Sequence, residues 1–367
     1  MIRTLINKIG PSRTPAAAIT SPPRRLSRLA SLLILALALC TAGGCASTSQ
    51  QGGKDLSAAG VKTANGLADF YDQLAGYCID TAELDTLNFG FQALLNDPEG
   101  RAADARNHEA YESLAQAFNR RAAMARSLAT LYGSLGNLAA FDARGKVGAA
   151  AGDLSGALTD LPALTGKLDF DPKAITTIIA GDLVALKQSA DIRAASQATA
   201  KVLDGVADLL DAERGGATGK NDVYHSIILR RAELAGSLTK NLVKNGYVDS
   251  TAVMKNVADQ YQIPWDGQIK PDDAATRAAA ASIAAFQTRR DGALTLTAGD
   301  DLARALRALA AQHRQFAQGG PFNPADANAL AQRAQAYIDE VEKIKKEARD
   351  TRAARREQEK TDKDKNK

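Results

Sequence analysis

Between residues 111 and 138, Tyr111, Leu114, Phe118, Ala122, Ala125, Leu128, Tyr132, Leu135 and Leu138 recur at steps of three and four. On a helix that spacing collects them into one stripe, whereas on a strand it scatters them over both faces. A stripe this long must be covered by another long helix. Local propensity supplies one, because alanine is abundant throughout, aromatics make up only 5% of the chain and β-branched runs are rare. The expected fold is all-α: an elongated multi-helix bundle with long antiparallel helices.

A first helix from Asp55 carries Val61, Leu67, Phe70, Leu74, Tyr77, Cys78, Leu84, Leu87 and Phe91. It ends at Asn96-Asp97-Pro98-Glu99, where Asp97 reads as the N-cap and Pro98 as the first turn of the striped helix. The short connection makes these two helices antiparallel partners. Glycines and Pro162 interrupt the pattern across 145–171, leaving short helical pieces near 153–161. Asp171-Pro172 opens a long helix reaching Ala212, and another spans 222–244 up to Asn245-Gly246, a pair suited to a left-handed C-cap. A short helix fits 250–261, two more fit 272–289 and 300–317, and Asn323-Pro324 caps the last. That last helix carries Ala327, Leu330, Ala334, Tyr337, Val341, Ile344 and Ala348, after which every side is charged. The helical body is therefore 55–348, with subdivision suggested near 145–171 or 263–271.

The N-terminal region has a different logic. Arg24, Arg25 and Arg28 precede an apolar run from Leu29 to Leu39, followed by Thr41-Ala42-Gly43-Gly44-Cys45. Charge, apolar core and small residues, in that order, are the layout of an export signal, and the run is about half of the ~20 residues that a bilayer span requires. The segment Ala42 to Cys45 resembles the lipobox of bacterial lipoproteins. The resemblance implies diacylation of Cys45 through a thioether, cleavage before it, and acylation of the new amino terminus. Residues 1–44 are then a removed signal peptide and 45–54 a lipidated flexible tether. Cys40 is the poorer candidate, since bulky Leu39 occupies the place where a small residue is needed. Ala46, where enteric bacteria use aspartate for inner-membrane retention, points to the outer membrane, facing the periplasm.

Removing the signal changes the charge balance. Residues 1–44 hold six basic residues and no acidic ones, so the net charge of +4 becomes −2. Residues 343–367 hold eleven Lys or Arg against six Asp or Glu, which leaves 29 basic and 36 acidic residues in the body. An acidic body excludes nucleic acid as its partner, because such a surface needs clustered cations to replace counterions along phosphates. The basic tail 349–367 is either a solubilising end or a surface for an anionic envelope polymer or an acidic protein. Its candidate interaction residues are Arg349, Arg352, Arg355, Arg356 and Lys360. Trp265, the only tryptophan, lies in the Ile263 to Pro271 break and reads as a plug for one end of the bundle or as an interface anchor.

No catalytic residue, cofactor site or metal site is assigned. His108, His225 and His313 stand far apart with no second ligand at metal spacing. No nucleophile turn, phosphate loop or dinucleotide fingerprint occurs. The pairs Asp272-Asp273 and Asp300-Asp301 read as helix-start carboxylates that offset the macrodipole. Cys78, the one thiol left after processing, reads as a core residue. These features together indicate a lipid-anchored envelope protein, not an enzyme, that binds, bridges or scaffolds in the periplasm. The alternative readings are a carrier or chaperone for apolar cargo and, third, an enzyme acting on wall material.

Overall fold

The structure, a computed structural model, describes residues 24–92, 96–139, 144–162, 192–215, 222–247, 274–320, 323 and 325–365. In the first helix the described side chains begin at Lys54, and in the last their continuous run ends at Ile344. The described elements are all helical: α1 (Arg24–Phe91), α2 (Pro98–Ala139), α3 (Arg144–Thr159), α4 (Ile192–Glu213), α5 (Val223–Lys244), α6 (Ala274–Ala317) and α7 (Ala325–Lys365). The protein is an all-α helical bundle. Contacts divide the chain into Met1–Ser49 and Gln50–Lys367, and the packed helices belong to the second unit.

Helix boundaries follow the local chemistry. The Asp97 carboxylate accepts from the Gly100 amide at 2.6 Å at the start of α2, and Asp222 accepts from the His225 amide at 2.9 Å at the start of α5. Each satisfies one of the four donors that an N-terminus leaves free. Asn323 Oδ1 accepts from the Ala325 amide at 3.1 Å and opens α7. Helix α5 ends at Asn245, and Gly246 takes a φ of +72°, a left-handed turn that favours glycine. The backbone of α1 is helical through 46–54, where the composition reads as an aperiodic tether. Extending a helix from a formed turn costs little once nucleation is complete.

From Leu56 to Ala82, α1 is buried on almost every side, the signature of a helix surrounded by others. Helix α2 runs antiparallel to it, as the hydrogen bonds Ser57 to Tyr132, Arg126 to Asp72, Asn107 to Asp85 and Thr86 to Asp104 show. Tyr77 meets Thr295 at 2.9 Å, and a Cβ on Gly66 would touch Leu302, so α6 is also antiparallel to α1. Helices α4, α5 and α7 pack on α6, and α3 packs on α2. Arg333 bonds Asp301 and the Asn323 amide bonds Gln312, so α7 is antiparallel to α6 and therefore parallel to α1.

Two expectations are corrected. The helices placed at 272–289 and 300–317 are one helix, α6. Gly292 and Gly299, which look like breaks in sequence, are points of close approach. A Cβ at Gly292 would overlap Ile228 of α5, and one at Gly299 would come within 2.9 Å of the Phe70 ring of α1. Asp300 and Asp301 consequently lie inside a helix instead of at its start. Buried Asp301 accepts from Arg333 Nε at 3.0 Å and from Arg304, and so ties α7 to α6. Gly292→Ala is expected to destabilise by about 1–3 kcal/mol through overpacking, despite the better helix propensity of alanine. Gly152→Ala in α3, where nothing stands within 4 Å of the new methyl group, should instead stabilise by about 0.5–1 kcal/mol. Urea unfolding of both variants checks this, and equal shifts would contradict the packing account.

The short piece expected at 153–161 is α3, which starts earlier, at Arg144. Of the long helix expected at 171–212, only 192–212 falls among the described residues, within α4. The helix expected at 250–261 and the break around Trp265 lie outside them.

Candidate functional site

Cys45 lies on α1, but its side chain is not among those described. Arg349, Arg352, Arg355, Arg356 and Lys360 lie on the α7 backbone, which is helical to Lys365, and their side chains are likewise outside the described set. Trp265 is outside it altogether. What the described side chains offer is a series of buried polar clusters along α1.

The first cluster joins α1, α2, α4 and α6. His313 is 1% exposed. Its Nε2 meets the Tyr132 hydroxyl at 2.9 Å, and its Nδ1 meets Ser196 Oγ at 2.7 Å. Ser196 Oγ also donates to the His313 carbonyl at 3.1 Å. Its only proton is thereby committed, so Nδ1–H must donate to Ser196 and Nε2 must accept from Tyr132. Burial depresses the imidazole to about 3, so the ring is neutral. Ser57, Tyr132, Ser196 and His313, with Leu56 and Phe316, line a cavity of about 20 Å3, room for about one water molecule. In this tautomer Nδ1 already carries a proton and cannot take one from Ser196. The cluster therefore fixes helix positions and does not arm a nucleophile.

The second cluster is charged. Arg121 and Glu213 are both fully buried and paired through Arg121 Nε. Arg121 also donates to the Ala117 carbonyl at 3.0 Å and the Pro162 carbonyl at 2.9 Å. The second oxygen of Glu213 accepts from Tyr71 at 3.2 Å and from Tyr224. Burial pushes the Glu213 carboxyl up, and the Arg121 charge and the two phenols pull it back. Burial, then the Glu213 charge, holds both phenols well above their ordinary range, so they remain donors. Helices α1, α2, α4 and α5 meet at this one carboxylate.

Two further clusters continue along α1. Thr295 bonds Tyr77 and donates to Gln73 at 2.6 Å, while the Arg231 guanidinium lies 4.6 Å from the Tyr77 ring centre. Nearly buried Asp85 accepts from Arg230 at 3.0 Å and from Asn107 at 2.7 Å. Cys78 is fully buried, with its thiol pushed up to about 12 by burial. His108 is exposed beside Glu112 at 3.2 Å, and His225 is exposed at the α5 N-terminus. Among the described residues, no three His, Cys, Asp or Glu are grouped to hold a metal ion. No described helix is long and apolar enough to cross a membrane.

These clusters do leave a trace in the sequence. Arg121 lies three residues after Phe118 and four before Ala125, Glu213 lies four after Leu209, and His313 lies four after Leu309, so each occupies an apolar-stripe position. A polar residue on such a stripe signals a buried partner without saying which one. No family model, curated protein or solved structure matches this chain.

Proposed function

We propose that this is a lipid-anchored protein of the bacterial cell envelope that bridges the periplasmic face of the outer membrane to an anionic partner. The observation that carries the reading is the parallel course of α1 and α7. The chain enters the described core at Leu56, at the N-terminal end of that part of α1, while α7 runs toward the other end of the core and continues as a basic helix to Lys365. A lipid on Cys45 then anchors the chain, and the basic tail is the element that meets the partner. The clusters around Glu213 and His313 suit such a role, because buried networks whose members are paired fix the helices in one arrangement.

Fractionation of cells expressing three forms tests the reading. The native chain should follow the membrane and also show a salt-sensitive association with another envelope fraction. Cys45→Ala should accumulate unprocessed or soluble and keep only the second association, whereas truncation after Ala348 should keep only the first. Normal cleavage and anchoring of Cys45→Ala would remove the lipoprotein reading. A truncated chain with unchanged salt-sensitive association would remove the bridge.

A further inference from the structure

Helix α1 is covered by its neighbours except along one line. At 100° per residue, every position from Leu56 to Glu83 that is not buried falls within a single arc of about 100°. The line runs from Ala58 through Asp69, Asp72 and Gly76 to Ile79 and Glu83, and Leu87 continues it. Arg126 and Asp104 of α2, bonded to Asp72 and Thr86, border it on one side. Gln335 of α7, which donates to Asp69 at 3.4 Å, and Arg231 of α5, 3.0 Å from Asp80, border the other. The line is open to solvent: nothing stands within 4 Å of a Cβ placed on Gly76, and Ile79 and Leu87 are each 49% exposed.

Two chemistries share this furrow. Towards the C-terminal end of α1 it is apolar, with Ile79 and Leu87 about 12 Å apart along the helix. Towards the N-terminal end it is acidic, because Asp339 of α7 joins Asp69 and Asp72 by sharing Gln335 with Asp69. Burial pushes the Asp69 carboxyl above its ordinary range, and the Asp72 and Asp339 charges add to the push, with Gln335 and Arg126 offsetting part of it. Negative charge is left in excess beside an open apolar strip.

We propose that this furrow is a docking site for one basic amphipathic helix of a partner protein, with two apolar residues on Ile79 and Leu87 and a Lys or Arg beside Asp69, Asp72 and Asp339. The site is separate from the basic tail and takes a partner of the opposite charge. Helices seat in such furrows through apolar anchors, and charge sets their direction. The partner's apolar pair is spaced by about seven or eight residues, with the cation about seven residues beyond, as the positions on α1 require. A second copy does not fit. Antiparallel pairing centred on Gly76 sets Asp69 against Glu83 and Asp72 against Asp80. The same acids repel an anionic membrane surface.

A photoreactive residue at position 83, in the full chain in intact cells, tests the site, with exposed position 297 on α6 as control. Position 83 should give an adduct that position 297 does not, mapping to a partner segment with the stated apolar pair and cation. A synthetic peptide of that segment should bind the purified chain, and binding should weaken as salt rises. The variant I79S/L87S should lose at least tenfold in affinity and D69N/D339N severalfold, both with unchanged helical circular dichroism. No adduct at position 83, equal adducts at both positions, or an adduct to a second copy or to the chain's own residues 345–367 would overturn the proposal. A mapped segment without cations, or peptide binding unchanged in both variants, would do the same.

Discussion

Glu213→Ala is expected to destabilise the protein by about 3–5 kcal/mol, because it strands the Arg121 guanidinium in a site with no exposure. The loss is not the net worth of the ion pair. Most of it is the cost of a buried charge whose partner has gone, together with the Tyr71 and Tyr224 hydroxyls that lose their acceptor. Glu213→Gln keeps an oxygen for the phenols and should cost less. Arg121→Met combined with Glu213→Leu should recover part of the loss, since neither charge remains. Urea unfolding of the four chains measures these differences. A cost below about 1 kcal/mol for Glu213→Ala would mean that water reaches Arg121 and that the four helices do not meet at a dry carboxylate.

The second large effect depends on pH and belongs to His313. Its folded pKa of about 3 lies below the ordinary 6.5, so between those values the unfolded chain binds the extra proton. Stability therefore rises with pH in that window and is lost as pH falls through about 6.5 towards 3. The share of His313 alone is about 2 kcal/mol between pH 7.5 and pH 5. Burying the charged ring would also break the tautomer chain, since an imidazolium cannot accept from Tyr132. His313→Gln should flatten the profile by that amount while costing stability at neutral pH. Parallel profiles for the two chains would show that His313 is hydrated or already protonated in the fold.

Much of the architecture was legible one element at a time. Caps at Asp97 and Asn323 depend on a side chain and an amide within three residues, and the left-handed turn at Gly246 depends on a single residue. Apolar stripes identify helices because their period is set by the backbone, and the short link at 92–97 dictates the antiparallel pairing of α1 and α2. The merged α6 was not legible. Glycine in a sequence reads as a break, and only a neighbour pressed against it, Ile228 or Phe70, turns it into a packing position. The same limit applies to the polar clusters. Arg121 and Glu213 are separated by 92 residues, and Ser196 and His313 by 117, distances over which no local pattern operates.

The residues alone specify a helical chain, the C-terminal ends of most described helices, and a segment, Ala42 to Cys45, that resembles a lipid attachment site. These are matters of propensity, period and nearest neighbours. That α1 is the surrounded helix, that α7 runs parallel to it, and that Glu213 and His313 each gather several helices around one side chain emerges only from the packing. Those outcomes depend on which stripe faces which, a choice made by complementary volumes and by pairing buried donors with acceptors brought together only in the folded core.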